Sequence, residues 1–508
     1  MERLVVTLKQ EKLLQEAKTA SLLVGLSSLV SKILAAIYRI PYQNLVGDRG
    51  FYAYQQIYPF LAIITALGLT GFPNLISSLL QKSSSRHLVS FLKLSTIFSW
   101  VTASLMLLGH QILANWIGAS RLGPAFIWVA ATFFITPFLS FYRGIDQGQG
   151  KLRVTALSQV VEQVVRVLII IVAAACYLVY RWDIYQTANL AASGNFFASL
   201  VTVVYLAYQS KENPLPLLAQ RGMSLAELGS AAIPSLVFTL YAMYLLLFQL
   251  IDAFLVKNIL VEQGMANQLA EALKGVYDRG QPLLQFGLLV TTALFTSYLP
   301  KLTQLYLANE KTYELERQRF FEVIFYLSLT ITVGFLSVLP QVNQVLFTDR
   351  QGLLALSLYS SLIFLASMVQ YFHHHCFIVG QHRSSLLYLF LGVLLKLLIT
   401  GPLTGFFGIV GSSLSTCLSL VFVLLAYVRQ VPVNWANLVN GKFYLVLSIM
   451  GLLVFGLTQF LPQDSRIWAF MSLLLSTGLG GGIFLLLSYH WQVFPDSLWS
   501  FLPFFHKK

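Results

Sequence analysis

Fourteen apolar stretches long enough to cross a bilayer run through these 508 residues, and four basic side chains fall inside them: Lys32, Arg39, Arg166 and Lys396. A hydrocarbon core about 30 Å thick needs roughly 20 mostly apolar residues for each α-helical crossing. A cation at that depth costs at least about 2.5 kcal/mol, so it turns toward a protein-lined or watery interior. Only 10% of the residues are charged, against about 25% in a soluble domain, so the chain reads as integral to a membrane throughout. Several cations held at membrane depth in a many-helix chain point to a transporter of something anionic.

The expected spans are 20–41, 57–80, 91–118, 124–143, 154–180, 187–208, 229–258, 281–307, 321–347, 353–380, 384–401, 405–428, 442–461 and 466–489. The first twenty residues, of mixed charge and without a signal-peptide core, read as a cytoplasmic amphipathic lead-in. With that end inside, 21 of the 33 Lys and Arg fall in inner segments, eight in outer segments and four within spans. Arg143 counts as inner here, and Lys257 and Arg279 as outer. This positive-inside bias, with an even number of spans, predicts a multi-pass protein of the bacterial cytoplasmic membrane with both termini cytoplasmic. The net charge of +13 is then orientation charge beside anionic lipid, and nucleic acid is excluded as a partner. The three cysteines, Cys176, Cys376 and Cys417, fall in apolar runs without metal or redox spacing and read as packing residues.

Residues 209–228, rich in proline and charge, read as a cytoplasmic linker between two halves. The longest other loops are expected at 259–280 and 308–320. Asp48-Arg49-Gly50 recurs as Asp278-Arg279-Gly280, an offset of 230 that also carries Arg166 onto Lys396 and Arg143 onto His373. The expected organisation is an N-lobe over 1–208 with spans 1–6, a C-lobe over 229–430 with spans 7–12, and a C-terminal pair of spans with a cytoplasmic tail over 431–508. The fold class is therefore an all-α polytopic membrane protein of about 14 helices, with two six-helix lobes in parallel repeat.

Lys32 and Arg39 are seven residues apart, which places them on one helix face about two turns from each other. Pro41 then disfavours helix and predicts a break at Arg39. The pair reads either as a basic strip meeting phosphate or as side chains snorkelling to the interfaces. In the segment from Tyr142 to Ile170, Gly144, Gly148 and Gly150 predict a tight turn, and Glu162 and Arg166 are spaced for a charge-neutral pair inside the membrane. Arg166 reads equally as a ligand contact or as a structural partner, and Glu162 leans to the structural role. Asp252, deep in an apolar span, is a candidate for a coupling monovalent cation or proton, or for an ion pair with one of the bases. The run His373, His374, His375 and Cys376 offers at most one i,i+3 donor pair on a helix face, too few to hold a metal. No phosphate-binding loop sequence is present, so nucleotide hydrolysis by this chain is excluded as the energy source.

The run SKILAAIYRIPYQNLVGDRGFYAYQQIYPF, followed by LGLTGFP, then YRG, QGQG and ALSQVVEQVVR, and then YDRGQPLLQ, resembles the SpoVB/MurJ-type polysaccharide-transport proteins. These are lipid-linked oligosaccharide flippases of the multidrug/oligosaccharidyl-lipid/polysaccharide (MOP) exporter superfamily. The resemblance extends over nearly the whole chain. It implies two six-helix lobes around a central V-shaped cavity, with the last two spans forming a lipid-facing groove. It also implies that cavity cations engage the pyrophosphate of an undecaprenyl-linked sugar. By motif position Arg39 resembles the first-span arginine of the family, Lys32 its neighbouring base, and Arg279 the arginine opening the eighth span. The basic cluster that some members carry in the second span is missing, because 57–80 has no charge.

The expected function is therefore translocation of an undecaprenyl-pyrophosphate-linked cell-wall precursor, with lipid II as the expected cargo, by alternating access. Lys32, Arg39, Arg279, Arg166 and Lys396 are the candidate substrate-binding residues. No catalytic residue, metal or cofactor is expected, and the protein is expected to work as a monomer among membrane lipids. Within the same superfamily the alternative is a multidrug or cation antiporter, which would need an anionic or aromatic cavity. A membrane-embedded glycosyltransferase or ligase would need a sizeable external loop with clustered carboxylates, and the chain has neither.

Overall fold

A computed structural model of the chain describes residues 34, 37–82, 85–210, 212–220, 225–309, 311–461 and 465–494. The amphipathic lead-in, Lys32, most of the expected span 20–41 and the C-terminal tail lie outside the described residues. The described chain is helical, and 13 helices or helix pairs are long and apolar enough to cross a membrane. The expectation of an all-α polytopic protein holds. By contacts the chain separates into two compact units, one up to Asn258 and one from Ile259. The division falls within the helix Leu225–Glu262.

In the first unit, α1 (Arg39–Ala66) passes through a π-helical turn at Leu67–Gly71 into α2 (Phe72–Lys82). Then come α3 (Ser85–Leu108), α4 (His110–Trp116), α5 (Gly123–Gly148), α6 (Leu152–Tyr180), α7 (Ile184–Gln209), the short α8 (Pro214–Ala219) and most of α9 (Leu225–Glu262). The boundary expected at Arg39 coincides with the start of α1, with Tyr38 as its N-cap. Backbone hydrogen bonds from Tyr38 N to Leu34 O and from Tyr42 N to Tyr38 O flank this start, and Pro41 stands in the first turn. Proline lacks only its own N–H and is tolerated in a first turn. The non-helical residue is Gly47, at φ 70° and ψ 179°. The core of this unit joins Tyr42, Phe51, Tyr54 and Ile57 of α1 to Phe126 and Val129 of α5, and to Ala173, Ala188 and Ala192 of α6 and α7.

The glycines between spans four and five do not all make the turn. Gly144 lies within α5, where an added Cβ would stand 2.5 Å from Ile76 Cβ and 3.0 Å from Pro73 O. It lets α2 approach closely, which is the common use of small residues between membrane helices. Only Gly150 turns the chain, at φ 75°.

In the second unit, residues 259–280 do not form a loop. α9 continues to Glu262, and α10 (Asn267–Asp278) leads directly into α11 (Gly280–Leu307). Lys274 and Asp278 pair at 2.5 Å on α10, both side chains 1% exposed, so its charges are buried rather than loop-like. The charged connection expected at 308–320 is also shorter, since α12 already begins at Tyr313 and runs to Phe347. α13 (Leu353–Ile378), α14 (His382–Phe407) and α15 (Ile409–Gln430) follow, and then α16 (Gly441–Phe460) and α17 (Arg466–His490). The last two pack on each other and on α12. They turn Leu452, Phe460, Ile467 and Leu486 outward, as lipid-facing helices do.

The 230-residue offset is visible in the helix boundaries. α5 starts at 123 and α13 at 353, α5 ends at 148 and α13 at 378, and α6 starts at 152 and α14 at 382.

Candidate functional site

Arg39, in the first turn of α1, is fully buried among the tyrosines of its own helix. Its guanidinium carbon sits 4.0 Å from the ring centre of Tyr58. The Tyr38 and Tyr54 hydroxyls meet each other at 3.2 Å beside it. Nε, Nη1 and Nη2 of Arg39 find no hydrogen-bond partner among the described residues. A buried guanidinium set among tyrosines, with no carboxylate partner among the described residues, is costly and rare, because each desolvated N–H ordinarily meets an acceptor.

Glu162 and Arg166 do pair across one turn of α6, but a second arginine joins them. Arg143 of α5, placed by sequence at a cytoplasmic turn, is fully buried and donates from Nη2 to the other oxygen of Glu162 at 2.7 Å. Its Nε donates to Ser158 Oγ at 3.1 Å and its Nη1 to Gly68 O at 3.3 Å, the latter within the π-helical turn. Arg166 donates from Nη1 to Gln163 Oε1 at 2.8 Å and from Nη2 to Thr65 Oγ1 at 3.4 Å, while its Nε finds no acceptor among the described residues. One carboxylate therefore serves two arginines, and the formal charge of the group is positive. The offset from Arg143 to His373 carried the signal that this arginine is not a loop residue.

Lys396 occupies the repeat position of Arg166, fully buried on α14. Its Nζ donates to Ser415 Oγ at 2.9 Å, Thr416 Oγ1 at 2.8 Å and Ser412 O at 3.3 Å, all on α15. The repeat position of Glu162 is Gly392, which brings no carboxylate. His373, the counterpart of Arg143, is buried and shares a hydrogen bond with Ser385 Oγ at 2.8 Å, a hydroxyl that Tyr427 also meets at 2.6 Å. The three histidines diverge: His374 faces the Phe295 ring and His375 meets Tyr313 OH at 3.1 Å. Asp252 is buried on α9 in the first unit.

Arg279 joins α10 to α11 and is fully buried. Its Nη1 and Nη2 hold both oxygens of Asp349 at 2.6 and 2.8 Å, Nη1 also donates to Asn343 Oδ1 at 3.3 Å, and the guanidinium lies 5.1 Å from the Phe347 ring centre. Sequence reasoning did not connect Arg279 with Asp349, 70 residues away. Burial pushes the Asp349 carboxyl up, but the hydrogen bonds from Arg279 and from Gln351 N–H, with the charge of Arg279, outweigh it and hold the group below the usual carboxylate value. Arg39 belongs to the first unit and Arg279 to the second.

Residues 18–306, more than half of the chain, match the sequence profile of the family described as polysaccharide biosynthesis protein. The uncharacterized membrane protein YabM of Bacillus subtilis (strain 168) is 30% identical over 501 residues, covering 94% of this chain and 93% of its own length. The lipid II flippase MurJ of the same organism is 23% identical over 528 residues, covering 95% and 97%. Among solved structures, a lipid II flippase MurJ in an inward closed conformation superposes with a TM-score of 0.67 at 12% identity, over 93% of this chain and 99% of that one. An inward-facing multidrug resistance MATE transporter of the MOP superfamily gives 0.61 at 13% identity, over 79% and 97%. The resemblance read from the motifs thus holds for the fold and for the sequence, and the chain belongs to the polysaccharide biosynthesis protein family.

Proposed function

We propose that this protein is a flippase that moves an undecaprenyl-pyrophosphate-linked cell-wall precursor, with lipid II as the expected cargo, from the inner to the outer leaflet of the bacterial plasma membrane. The observation that carries the reading is Arg39: a buried guanidinium whose three nitrogens find no acceptor among the described residues. Phosphate oxygens would supply those acceptors through charge-assisted hydrogen bonds, in the fork geometry that arginine offers and lysine does not. Arg279, Arg166, Lys396 and Lys32 are the further candidate contacts. A cationic drug, the cargo of the alternative reading, would gain nothing from such a guanidinium. Transport by alternating access, powered by membrane potential or by a monovalent cation or proton at Asp252, completes the proposal.

Complementation tests it. Cells depleted of their resident lipid II flippase should resume cell-wall synthesis and outer-leaflet display of labelled lipid II when this chain is expressed. Arg39→Ala, inserted to the same level, should not support either. Normal export by a well-expressed Arg39→Ala protein would overturn the proposed role of the arginine.

A further inference from the structure

The Arg279–Asp349 pair joins a fully buried guanidinium to a carboxylate that reaches solvent. Arg279 has no exposed surface, while the Asp349 side chain is 30% exposed. Both outer nitrogens of the guanidinium are occupied by the two carboxylate oxygens, the arrangement that a phosphate would otherwise take. An anion reaching Arg279 must therefore displace Asp349.

The turn that carries Asp349 lies between two residues of left-handed backbone. Thr348, on one side, is left-handed at φ 69°, which an L side chain rarely adopts, and Gly352, on the other, sits at φ 69° with an added Cβ only 2.5 Å from Val276 Cγ1. Inside the turn, Gln351 N–H donates to Asp349 Oδ1 at 2.8 Å, and Asn343 Nδ2 donates to Gln351 O at 2.9 Å while its Oδ1 accepts from Arg279. Release of the carboxylate from Arg279 would therefore remove the ion pair that ties the turn between α12 and α13 to the guanidinium, and leave the turn held by its internal bonds and by Asn343.

We infer that Asp349 is an internal competitor for an anion at Arg279: it occupies the guanidinium until a pyrophosphate replaces it, and its departure loosens residues 348–352. This inference rests on the proposed pyrophosphate cargo and adds a residue that tunes its affinity and reports its arrival. Asp349 acts as a positioning residue, through the guanidinium rather than on the cargo.

The test uses the full-length protein in phosphatidylglycerol nanodiscs, with undecaprenyl pyrophosphate as probe and undecaprenol as the uncharged control. Asp349→Asn should bind the pyrophosphate at least about fivefold more tightly than wild type, a coupling of ordinary size, and Arg279→Gln should cancel the gain. A purely structural pair would instead lose affinity when cut. In the wild type, which needs no variant to fold, hydrogen exchange of the segment 346–353 should rise when the pyrophosphate binds and stay unchanged with undecaprenol. Bound probe with the segment still protected, together with Asp349→Asn binding no tighter than wild type, would overturn the inference and leave the function standing. Failure of both wild type and Asp349→Asn to bind the pyrophosphate would overturn the functional reading and this inference with it.

Discussion

Arg143 donates from Nη2 to Glu162 Oε2 at 2.7 Å across 19 residues of chain, so the carboxylate that α6 offers to its own Arg166 is shared with α5. Glu162→Gln should strand two arginines at membrane depth and cost about 3–5 kcal/mol, the usual price of removing one partner from a buried ionic group. Glu162→Gln with Arg166→Gln leaves only Arg143 and the same formal charge as the native group. The double variant should therefore recover most of the lost expression and thermal stability. Fluorescence-detected size-exclusion profiles of the three proteins check this, and an unrecovered double variant would show that the geometry of the group matters more than its charge.

Arg39 should behave in the opposite way. With no carboxylate to strand among the described residues, Arg39→Gln removes a buried charge held among tyrosines. Its melting temperature in detergent should equal or exceed that of wild type, while complementation is lost, a stability–activity exchange typical of binding residues. A clear drop in melting temperature would mark Arg39 as structural.

The Asp349 carboxyl lies below its ordinary value in the folded protein, because the hydrogen bonds and charge of Arg279 outweigh its burial. The stabilisation from this pair is then complete above the unfolded value of about 3.9 and is lost as pH falls through the lower folded value. Thermal melts of wild type should fall away below about pH 4 more steeply than those of Asp349→Asn, which lacks that titration. Parallel curves for the two proteins would count against the ion pair as a source of acid sensitivity.

Two neighbouring glycines should respond for different reasons. Gly144→Ala pushes a methyl into Ile76 and the Pro73 carbonyl, and overpacking of this kind costs about 1–3 kcal/mol. Gly150→Ala meets nothing within 4 Å but must hold φ 75°, a left-handed penalty of about 1–2 kcal/mol. Shortening Ile76 to Ala alongside Gly144→Ala should recover part of the first loss and none of the second, as read by melting temperature.

Much of the architecture was legible because hydropathy reports what faces lipid. From the third span on, the long apolar runs became helices close to their expected limits, whereas α1 also fills 42–56, expected between spans, and the offset of 230 reappears in the ends of α5 and α13. What stayed hidden is polar and long-range. Arg143 sits among glycines and bases, which look like a cytoplasmic turn until the helix is seen to continue to Gly148. Lys274 and Asp278 make α10 look like a loop, although their charges cancel inside the protein. No periodicity links Asp349 to Arg279, and only the fold brings them together. Pro41 was informative for a simpler reason: it stands in the first turn of α1, where its missing N–H costs little.

The π-helical turn at Leu67–Gly71 gives the second span a tolerance that its neighbours lack. A π turn holds one residue more than the α-helix around it. A single deletion between Leu67 and Gly71 would therefore restore regular winding and leave the faces of α1 and α2 in register, whereas the same deletion elsewhere in either helix would rotate everything beyond it by about 100°. The deleted chain would still fold around α5, but Gly68 would offer its carbonyl back to its own helix, and Arg143 would have to find another acceptor. Chain length at this one turn is thus exchangeable for a hydrogen bond, and natural length variation in this span should gather there.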